Sequence, residues 1–258
     1  MTRIQKAFAN GKAFIGFVTG GDPSIEKSEE FILELVRAGA DLVEIGIPFS
    51  DPIAEGPVIQ RANIRALAAG ATVAKLFALV ERLRVKTQVP LVFLTYLNPV
   101  FHYGYDAFFK RCREAGVDGV IIPDLPFEEQ GEARSAAAAF GVDLISLIAP
   151  TSRERIAGIA ASATGFIYTV SSMGVTGIRG KIETDLASII QAARPHAKVP
   201  LAVGFGINTP AQAAEIARLA DGVIVGSAIV KLIEEHGGNA GPSVYEYARA
   251  MKAAISQE

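Results

Sequence analysis

The sequence carries one short pattern four times: Gly39-Ala40-Asp41-Leu42-Val43, Gly116-Val117-Asp118-Gly119-Val120, Gly141-Val142-Asp143-Leu144-Ile145 and Leu219-Ala220-Asp221-Gly222-Val223. In each copy a segment of helical periodicity ends and an apolar run begins within five residues. The pattern therefore marks four junctions at which a helix is followed by a strand. A chain built from such junctions alternates helices with strands.

The same alternation extends from these junctions to both ends of the chain. Short runs rich in Val, Ile and Phe alternate with longer segments whose apolar residues recur every three or four positions. That order predicts a parallel sheet. The predicted strands are Ala13–Thr19, Asp41–Phe49, Pro90–Tyr96, Gly119–Asp124, Asp143–Ala149, Gly165–Ser171, Pro200–Gly206 and Asp221–Gly226.

Eight strands in about 250 residues predict an α/β protein in which residues 1–258 form a single-domain (β/α)₈ TIM barrel. An extra N-terminal helix, Arg3–Ala9, is expected to cover the barrel floor. The alternative is a doubly wound open sheet, but no Gly-x-Gly-x-x-Gly motif opens a helix after the first strand. The other predicted helices are Ser24–Ala38, Val58–Gln88 with a break near Gly70, Tyr105–Ala115, Glu128–Phe140, Arg153–Ser162, Asp185–Ala197, Pro210–Ala220, Ala228–Glu235 and Ser243–Ser256.

Composition excludes several classes of protein. Half of the 258 residues are hydrophobic and a fifth are charged, which excludes intrinsic disorder. The 25 basic and 27 acidic residues form no basic run, so we expect no nucleic-acid partner. No stretch has the roughly 18 apolar residues of a membrane span, and the N-terminus has no apolar signal core. With Cys112 as the one cysteine, the sequence predicts a cytoplasmic protein without membrane contact.

Chemistry in such a barrel belongs at the carboxyl ends of the strands. In the strand Asp41–Phe49, Glu44 lies on the face opposite three aliphatic residues that suit the helices, so it should point into the barrel. A buried carboxylate must be paired or have a raised pKa. No predicted strand contains Lys or Arg, which favours an acid/base role for Glu44 over a structural ion pair.

The loop that follows, Ser50–Pro57, carries two more carboxylates between prolines. Asp51 precedes a proline and is typical of a turn. Spacing alone leaves Glu55 equally compatible with a site residue and with a solvated side chain. Tyr168, on the sixth strand, could combine a core ring with a hydroxyl that lines a site.

Three glycine-bearing segments follow the last three strands: Met173–Gly177, Gly204–Ile207 and Gly226–Ala228. Such loops bind phosphate in many barrels, because backbone N–H groups and a helix dipole meet the anion there. Tight turns would explain one of these segments more easily than all three. No His, Cys, Asp and Glu spacing indicates a metal, and no strand places a Lys for an imine.

The segment Val43-Glu-Ile-Gly-Ile-Pro-Phe-Ser-Asp-Pro-Ile-Ala-Glu-Gly-Pro-Val-Ile-Gln60 closely resembles the signature of the tryptophan synthase alpha chain family. Other segments resemble that family in the same order, and together they cover essentially the whole chain. They are Phe17–Pro23, Tyr96–Asn98, Pro123–Pro126, Tyr168 with Gly174–Gly177, Gly204–Gly206 and Gly226–Ser227.

This resemblance implies a lyase of tryptophan biosynthesis that cleaves indole-3-glycerol phosphate to indole and glyceraldehyde 3-phosphate without a cofactor. It also implies a pyridoxal-phosphate beta chain as partner, in an alpha2beta2 heterotetramer. By similarity, Glu44 is the main acid/base, Glu55 is the second carboxylate and Tyr168 is a wall residue near the scissile bond. The other implied site residues are Phe17, Leu94 and Ile148 for indole, and Thr176, Gly177, Phe205, Gly206, Gly226 and Ser227 for the sixth loop and the phosphate.

The sequence departs from the family pattern at two places. Glu55 stands where the family commonly has Asp, and an extra methylene moves the carboxylate by about an ångström. The stretch Ser171–Gly174 lacks an arginine found in some members. Two alternatives stay open: a lyase that works alone, and a regulatory subunit that binds phosphorylated ligands without catalysis.

Overall fold

The computed structural model describes residues 1–170, 179–204 and 206–256. The strands in these ranges pair in parallel and in chain order, and the last pairs with the first, so the sheet closes into a barrel. This confirms the predicted fold. The strands are β1 Ala13–Thr19, β2 Leu42–Gly46, β3 Leu91–Leu94, β4 Gly119–Ile121, β5 Asp143–Ile148, β6 Ile167–Val170, β7 Leu201–Gly204 and β8 Gly222–Val225.

Helices surround the barrel in the order that the sequence predicts. Short 3₁₀ turns at Phe127–Glu129, Pro150–Arg155 and Gly237–Asn239 lead into the helices that follow them. The α-helices are α1 Arg3–Ala7, α2 Ile25–Arg37, α3 Pro57–Ala68, α4 Val73–Lys86, α5 Leu97–Tyr103, α6 Tyr105–Ala115, α7 Gly131–Phe140, α8 Ile156–Ser162, α9 Arg179–Ala193, α10 Pro210–Leu219, α11 Ser227–His236 and α12 Gly241–Ile255.

The core has two layers, as expected for a barrel whose strands are covered on both faces. Residues inside the barrel include Ile15, Leu42 and Val92, and Ile4 of α1 closes the floor beneath them. Residues on the opposite strand faces pack against the helices, with Val43 as one example. The predicted covering role of the N-terminal helix is therefore confirmed.

Three of the four aspartates of the repeated pattern connect neighbouring strands at the floor through their carboxylates. A carboxylate oxygen of Asp41 accepts the backbone N–H of Phe14 at 2.7 Å, and Asp118 accepts that of Leu91 at 2.9 Å. Asp221 accepts the backbone N–H of Leu201 at 2.9 Å. Each carboxylate reaches back to the start of the preceding strand, so the repeat fixes the relative position of adjacent strands.

Several strands and helices differ by a few residues at their ends from the sequence prediction, and three differences are larger or concern undescribed residues. Residues 97–103 form α5, where a loop was expected, and Gly104 at φ +86° separates it from α6. Helix α9 starts at Arg179 rather than Asp185 and ends at Ala193, because Pro195 disfavours helical geometry in the residue before it. The predicted strand ends at Ser171 and across Phe205 lie outside the described residues.

No single helix in the described ranges is long and apolar enough to cross a membrane. Helices α3 and α4 pass the length and composition test only as a pair bent by 96°.

Candidate active site

A cavity of about 770 Å³ opens at the carboxyl ends of the strands. Its walls come from the barrel interior, the loop that carries Glu55, and the segments after β4, β5, β7 and β8. Eight of the residues singled out from the sequence line it: Phe17, Glu44, Glu55, Leu94, Tyr168, Gly206, Gly226 and Ser227. Thr176, Gly177 and Phe205 lie outside the described residues.

Glu44 lies at the bottom of this cavity. Its side chain points into the barrel, as the strand alternation predicts, and it is 1% exposed. In the parallel register it lies beside Phe17 on β1 and Val92 on β3. Its Oε1 has no hydrogen-bond partner among the described residues, and burial raises the pKa of the carboxyl to about 8. A carboxyl with this pKa can both give and take a proton near neutral pH.

Glu55 is half-buried at the end of the loop 50–57. The Asn63 side-chain N–H donates to its Oε2 at 3.3 Å, and the Tyr96 hydroxyl makes a further hydrogen bond to the carboxylate. Burial raises the pKa of Glu55, and these two hydrogen bonds oppose the rise. Tyr96 also accepts the backbone N–H of Ala54 at 2.9 Å. The additional methylene of Glu55 is thus accommodated by two side chains that hold its carboxylate.

Two site residues, Tyr96 and Asn63, were not predicted from the sequence. Tyr96 appeared only within a segment that resembles the family. The alternation that turns Leu94 of β3 into the barrel continues to Tyr96, and this signal could have identified it. The ring of Tyr96 stacks on Phe49 with centroids 5.2 Å apart, which fixes the hydroxyl beneath the loop. Asn63 is buried in the second turn of α3, and the sequence holds no comparable signal for it.

Tyr168 is half-buried on the cavity wall and its ring lies over Gly204. A Cβ on Gly204 would collide with the Tyr168 hydroxyl, so the glycine provides the space for the ring. Burial, and to a smaller extent the charge of Glu44, raises the pKa of Tyr168 well above its ordinary value. The hydroxyl therefore stays protonated at neutral pH and is available as a donor.

Apolar side chains form one side of the cavity. Phe17 packs with Ala62 of α3 and Val230 of α11, and Leu94 contacts the same cluster. The prediction for Ile148 is wrong: its side chain packs in the layer between the barrel and the helices. Leu147 takes the place expected for it and lines the cavity. A flat apolar group fits beside this cluster.

The segments after β7 and β8 offer backbone donors to the cavity. Gly226 and Ser227 stand at the first turn of α11, whose leading N–H groups lack acceptors within the helix. Gly206, at φ +75°, and Asn208 line the cavity from the segment after β7. A helix N-terminus beside a glycine-bearing turn is suited to an anion such as phosphate. Among the described residues, no group of three or more His, Cys, Asp and Glu side chains is placed to hold a metal ion.

A buried carboxyl with a raised pKa, an apolar wall and free backbone N–H groups meet in one barrel mouth, as is typical of a (β/α)₈-barrel enzyme. Residues 4–256 match the family described as Tryptophan synthase alpha chain. The chain therefore belongs to the tryptophan synthase alpha chain family. Proteins of that name from Lacticaseibacillus casei and Lactiplantibacillus plantarum are 48% and 51% identical to it. The matches cover 99% of this chain in both cases, and 96% and 97% of the relatives.

Solved structures agree with this assignment. Tryptophan synthase subunit alpha from Legionella pneumophila str. Paris superposes with a TM-score of 0.91 at 37% identity, over 100% of both chains. A chain from the tryptophan synthase a2b2 complex of Pyrococcus furiosus superposes with a TM-score of 0.88 at 34% identity, over 95% of this chain and 99% of that one. That structure was described as the structural basis of mutual activation of the Pyrococcus furiosus complex.

Proposed function

We propose that this protein cleaves indole-3-glycerol phosphate to indole and glyceraldehyde 3-phosphate by acid–base catalysis. The observation that carries the proposal is the buried carboxyl of Glu44, which has a pKa of about 8 and faces the cavity. Membership of the tryptophan synthase alpha chain family supports the same reaction.

In the proposed complex the substrate lies in the cavity with its indole and phosphate ends bound by different groups. Its indole ring lies against Phe17 and Leu94, on the apolar side. Its phosphate binds the backbone N–H groups near Gly206 and at the first turn of α11. The bond to be broken, between indole C3 and the hydroxyl-bearing carbon of the side chain, then lies above Glu44.

Cleavage needs two proton transfers, because indole C3 is a poor carbanion leaving group. Protonated Glu44 first donates to C3 and gives an indolenine-like tautomer with positive charge on the ring nitrogen. The carboxylate thus formed takes the proton of the side-chain hydroxyl, the C–C bond breaks, and its electron pair restores the indole ring. The hydroxyl-bearing carbon becomes the aldehyde of glyceraldehyde 3-phosphate. Each transfer contributes roughly 10²–10⁴-fold to the rate.

Glu55 and Tyr168 have supporting roles in this scheme. Glu55 accepts a hydrogen bond from the indole N–H and stabilises the positive charge that grows on nitrogen when C3 is protonated. Tyr168 packs beside the reacting carbon, and the Tyr168 hydroxyl remains protonated because its pKa is raised.

The proposal is tested by indole release from indole-3-glycerol phosphate with the purified chain. We expect release by the wild type and loss of nearly all activity in Glu44→Gln, because the amide can neither donate to C3 nor accept the hydroxyl proton. Binding of glycerol phosphate should be retained in that variant. Activity of folded Glu44→Gln within tenfold of the wild type would exclude Glu44 as the acid/base.

We further propose that the chain works with a beta chain in an alpha2beta2 assembly. The loop 50–57 leaves Ile53 79% exposed next to Glu55, and Phe101 of α5 is 66% exposed. The proposed contact with the beta chain would cover these two apolar side chains. The a2b2 complex of the Pyrococcus furiosus relative supports the same assembly.

We place the protein in the cytoplasm. Its single cysteine, Cys112, is buried in α6 as a free thiol, which suits a reducing compartment. Cell fractionation followed by immunoblotting with an antibody against the chain tests this location.

A further inference from the structure

Four charged residues from three elements form a connected cluster. Arg65 of α3 donates from Nε and Nη2 to the two carboxylate oxygens of Asp22, at 2.8 Å each. Its Nη1 donates to Glu234 of α11 at 3.0 Å. Arg61, one turn earlier on α3, donates to both oxygens of Glu234 at 2.6 and 2.8 Å. Helix α3 is therefore joined to α11 and to the segment after β1.

The cluster is anchored in the interior at Asp22, whereas the Arg61 side chain at its other end is 51% exposed. Asp22 is 1% exposed, and the planar guanidinium of Arg65 meets it with two parallel hydrogen bonds. Hydrogen bonds from Arg61 lower the pKa of Glu234 to about 2. Glu234 consequently stays ionised at neutral pH. A lysine would supply the charge but not the paired geometry.

Helix α3 in turn determines where Glu55 lies. The helix begins at Pro57, two residues after Glu55, and its Asn63 donates to the Glu55 carboxylate at 3.3 Å. The same helix packs Ala62 against Phe17 on the apolar side of the cavity. A shift of α3 relative to the barrel would displace the carboxylate and its hydrogen-bond donor together.

We infer that Arg65 is a positioning residue for the reaction, acting through Glu55. By binding Asp22 and Glu234 it holds α3 over the barrel mouth, and so keeps the Glu55 carboxylate directed into the cavity. The inference rests on the proposed lyase function for its kinetic consequences. Its structural consequence, an ordered loop 50–57, is independent of that function.

A kinetic comparison tests the route through Glu55. We expect Arg65→Ala to lower kcat for indole release about 10- to 100-fold, because a misplacement of about an ångström costs that much. KM should change less than about threefold, and Arg65→Lys should recover part of kcat. The double variant Arg65→Ala with Glu55→Ala should be no slower than Glu55→Ala alone, since both changes remove the same contribution. Arg82→Ala, which removes a 2.6 Å pair between α4 and Glu29 of α2, is the matched control and should retain wild-type activity.

Hydrogen exchange provides a readout that does not need activity. The Ala54 amide, which donates to Tyr96, should exchange faster in both Arg65 variants than in the wild type. Its exchange rate should not change in Arg82→Ala. Amides of β2 should stay protected in all of them, which separates loop disorder from unfolding. The inference would be overturned if the double variant lost kcat by the product of the two single losses, or if the Ala54 amide exchanged at the wild-type rate in the Arg65 variants. A wild-type chain that releases no indole would overturn the proposed function instead, and the exchange at Ala54 would then decide the role of Arg65.

Discussion

Glu44 combines two properties that oppose each other at the level of a single residue. Its burial gives the carboxyl a pKa of about 8, which suits proton transfer. The same burial makes the charged form costly, and the described residues offer Oε1 no hydrogen bond to offset this. Glu44, the proposed acid/base, is therefore expected to reduce the stability of the fold whenever it is ionised.

The pH dependence of unfolding should reveal this cost. The pKa of Glu44 is raised from 4.5 to about 8 in the folded state, so between these values the folded protein keeps a proton that the unfolded chain has released. Stability contributed by this group is complete below pH 4.5, falls as the pH rises through the window, and is lost above pH 8. Glu44→Gln does not titrate. We expect urea unfolding to show that the free energy of unfolding of the variant, relative to that of the wild type, rises between pH 5 and pH 8.5. The rise should be on the order of a few kcal/mol. Equal differences at both pH values would contradict the assigned pKa.

Glu55 provides a second prediction at this scale. Glu55→Ala should lower kcat/KM for indole-3-glycerol phosphate by about 10²-fold or more, because the charge on the indole nitrogen loses its partner. Glu55→Asp should retain partial activity, since its shorter side chain draws the carboxylate away from Asn63 and Tyr96. Asp51→Ala is the control, measured without a beta chain. Asp51 is an exposed carboxylate of the same loop and accepts a hydrogen bond from the Ser50 hydroxyl. Wild-type activity in Glu55→Ala would make Glu55 a solvated loop residue.

Among the elements, the segment after β7 is held from outside the cavity. The Tyr247 hydroxyl of α12 donates to the backbone carbonyl of Asn208 at 2.9 Å. The Asn208 side chain then donates to the carbonyl of Gly206 at 3.0 Å. Burial raises the pKa of Tyr247 to about 12, so the hydroxyl remains a donor at neutral pH. The C-terminal helix thereby supports the turn that is proposed to bind phosphate.

Removing that single hydroxyl should weaken anion binding. One hydrogen bond contributes about 1 kcal/mol, so we expect Tyr247→Phe to raise the Kd of glycerol phosphate about fivefold by calorimetry. Gly206→Val should have a larger effect, because a β-branched residue does not adopt φ +75° without strain. Tyr245→Phe is the control on the same helix, since the Tyr245 ring instead lies under Arg37, 4.4 Å away. Unchanged affinity in Tyr247→Phe would show that the turn holds its shape without α12.

The elements also show how far the sequence could be interpreted. Alternation placed Glu44 inside the barrel because one face of β2 is wholly aliphatic. Ile148 was assigned to the indole site by the family resemblance alone, whereas the alternation of β5 turns Leu147 into the cavity and Ile148 towards the helices. Helix α5 was missed because it is only one to two turns long and contains Pro99. The hydrogen bonds of Tyr96 and Asn63 to Glu55 depend on tertiary packing, which no local pattern encodes.

At the scale of the whole molecule, the barrel mouth joins catalysis to assembly. The loop 50–57 bears Glu55 on its cavity side and leaves Ile53 exposed. Docking of a beta chain on Ile53 would order the loop and thereby place the carboxylate. Substrate in the barrel and partner outside it should then strengthen each other's binding, because such coupling is reciprocal.

Activation by the partner tests this arrangement. We expect low indole release by the chain alone and at least a tenfold rise on adding the cognate beta chain. Pro52→Gly should lose part of that rise, because its loop is more costly to order. Ile53→Asp should weaken the complex measured by sedimentation, whereas Val85→Asp should not, although Val85 is 88% exposed on α4. Equal activity with and without the beta chain, and no detectable complex, would favour a lyase that works alone.

The aspartates at the floor have a consequence for how this protein can change over generations. Asp41, Asp118 and Asp221 join adjacent strands at the amino ends, while the substrate cavity opens at the carboxyl ends. Mutations at the barrel mouth can therefore change the length and side chains of the loops without loosening the strands. The fold can be retained in descendants of this protein that bind a different substrate. A laboratory lineage that replaced residues 50–57 and 206–208 would be expected to keep a closed barrel while acquiring a different ligand.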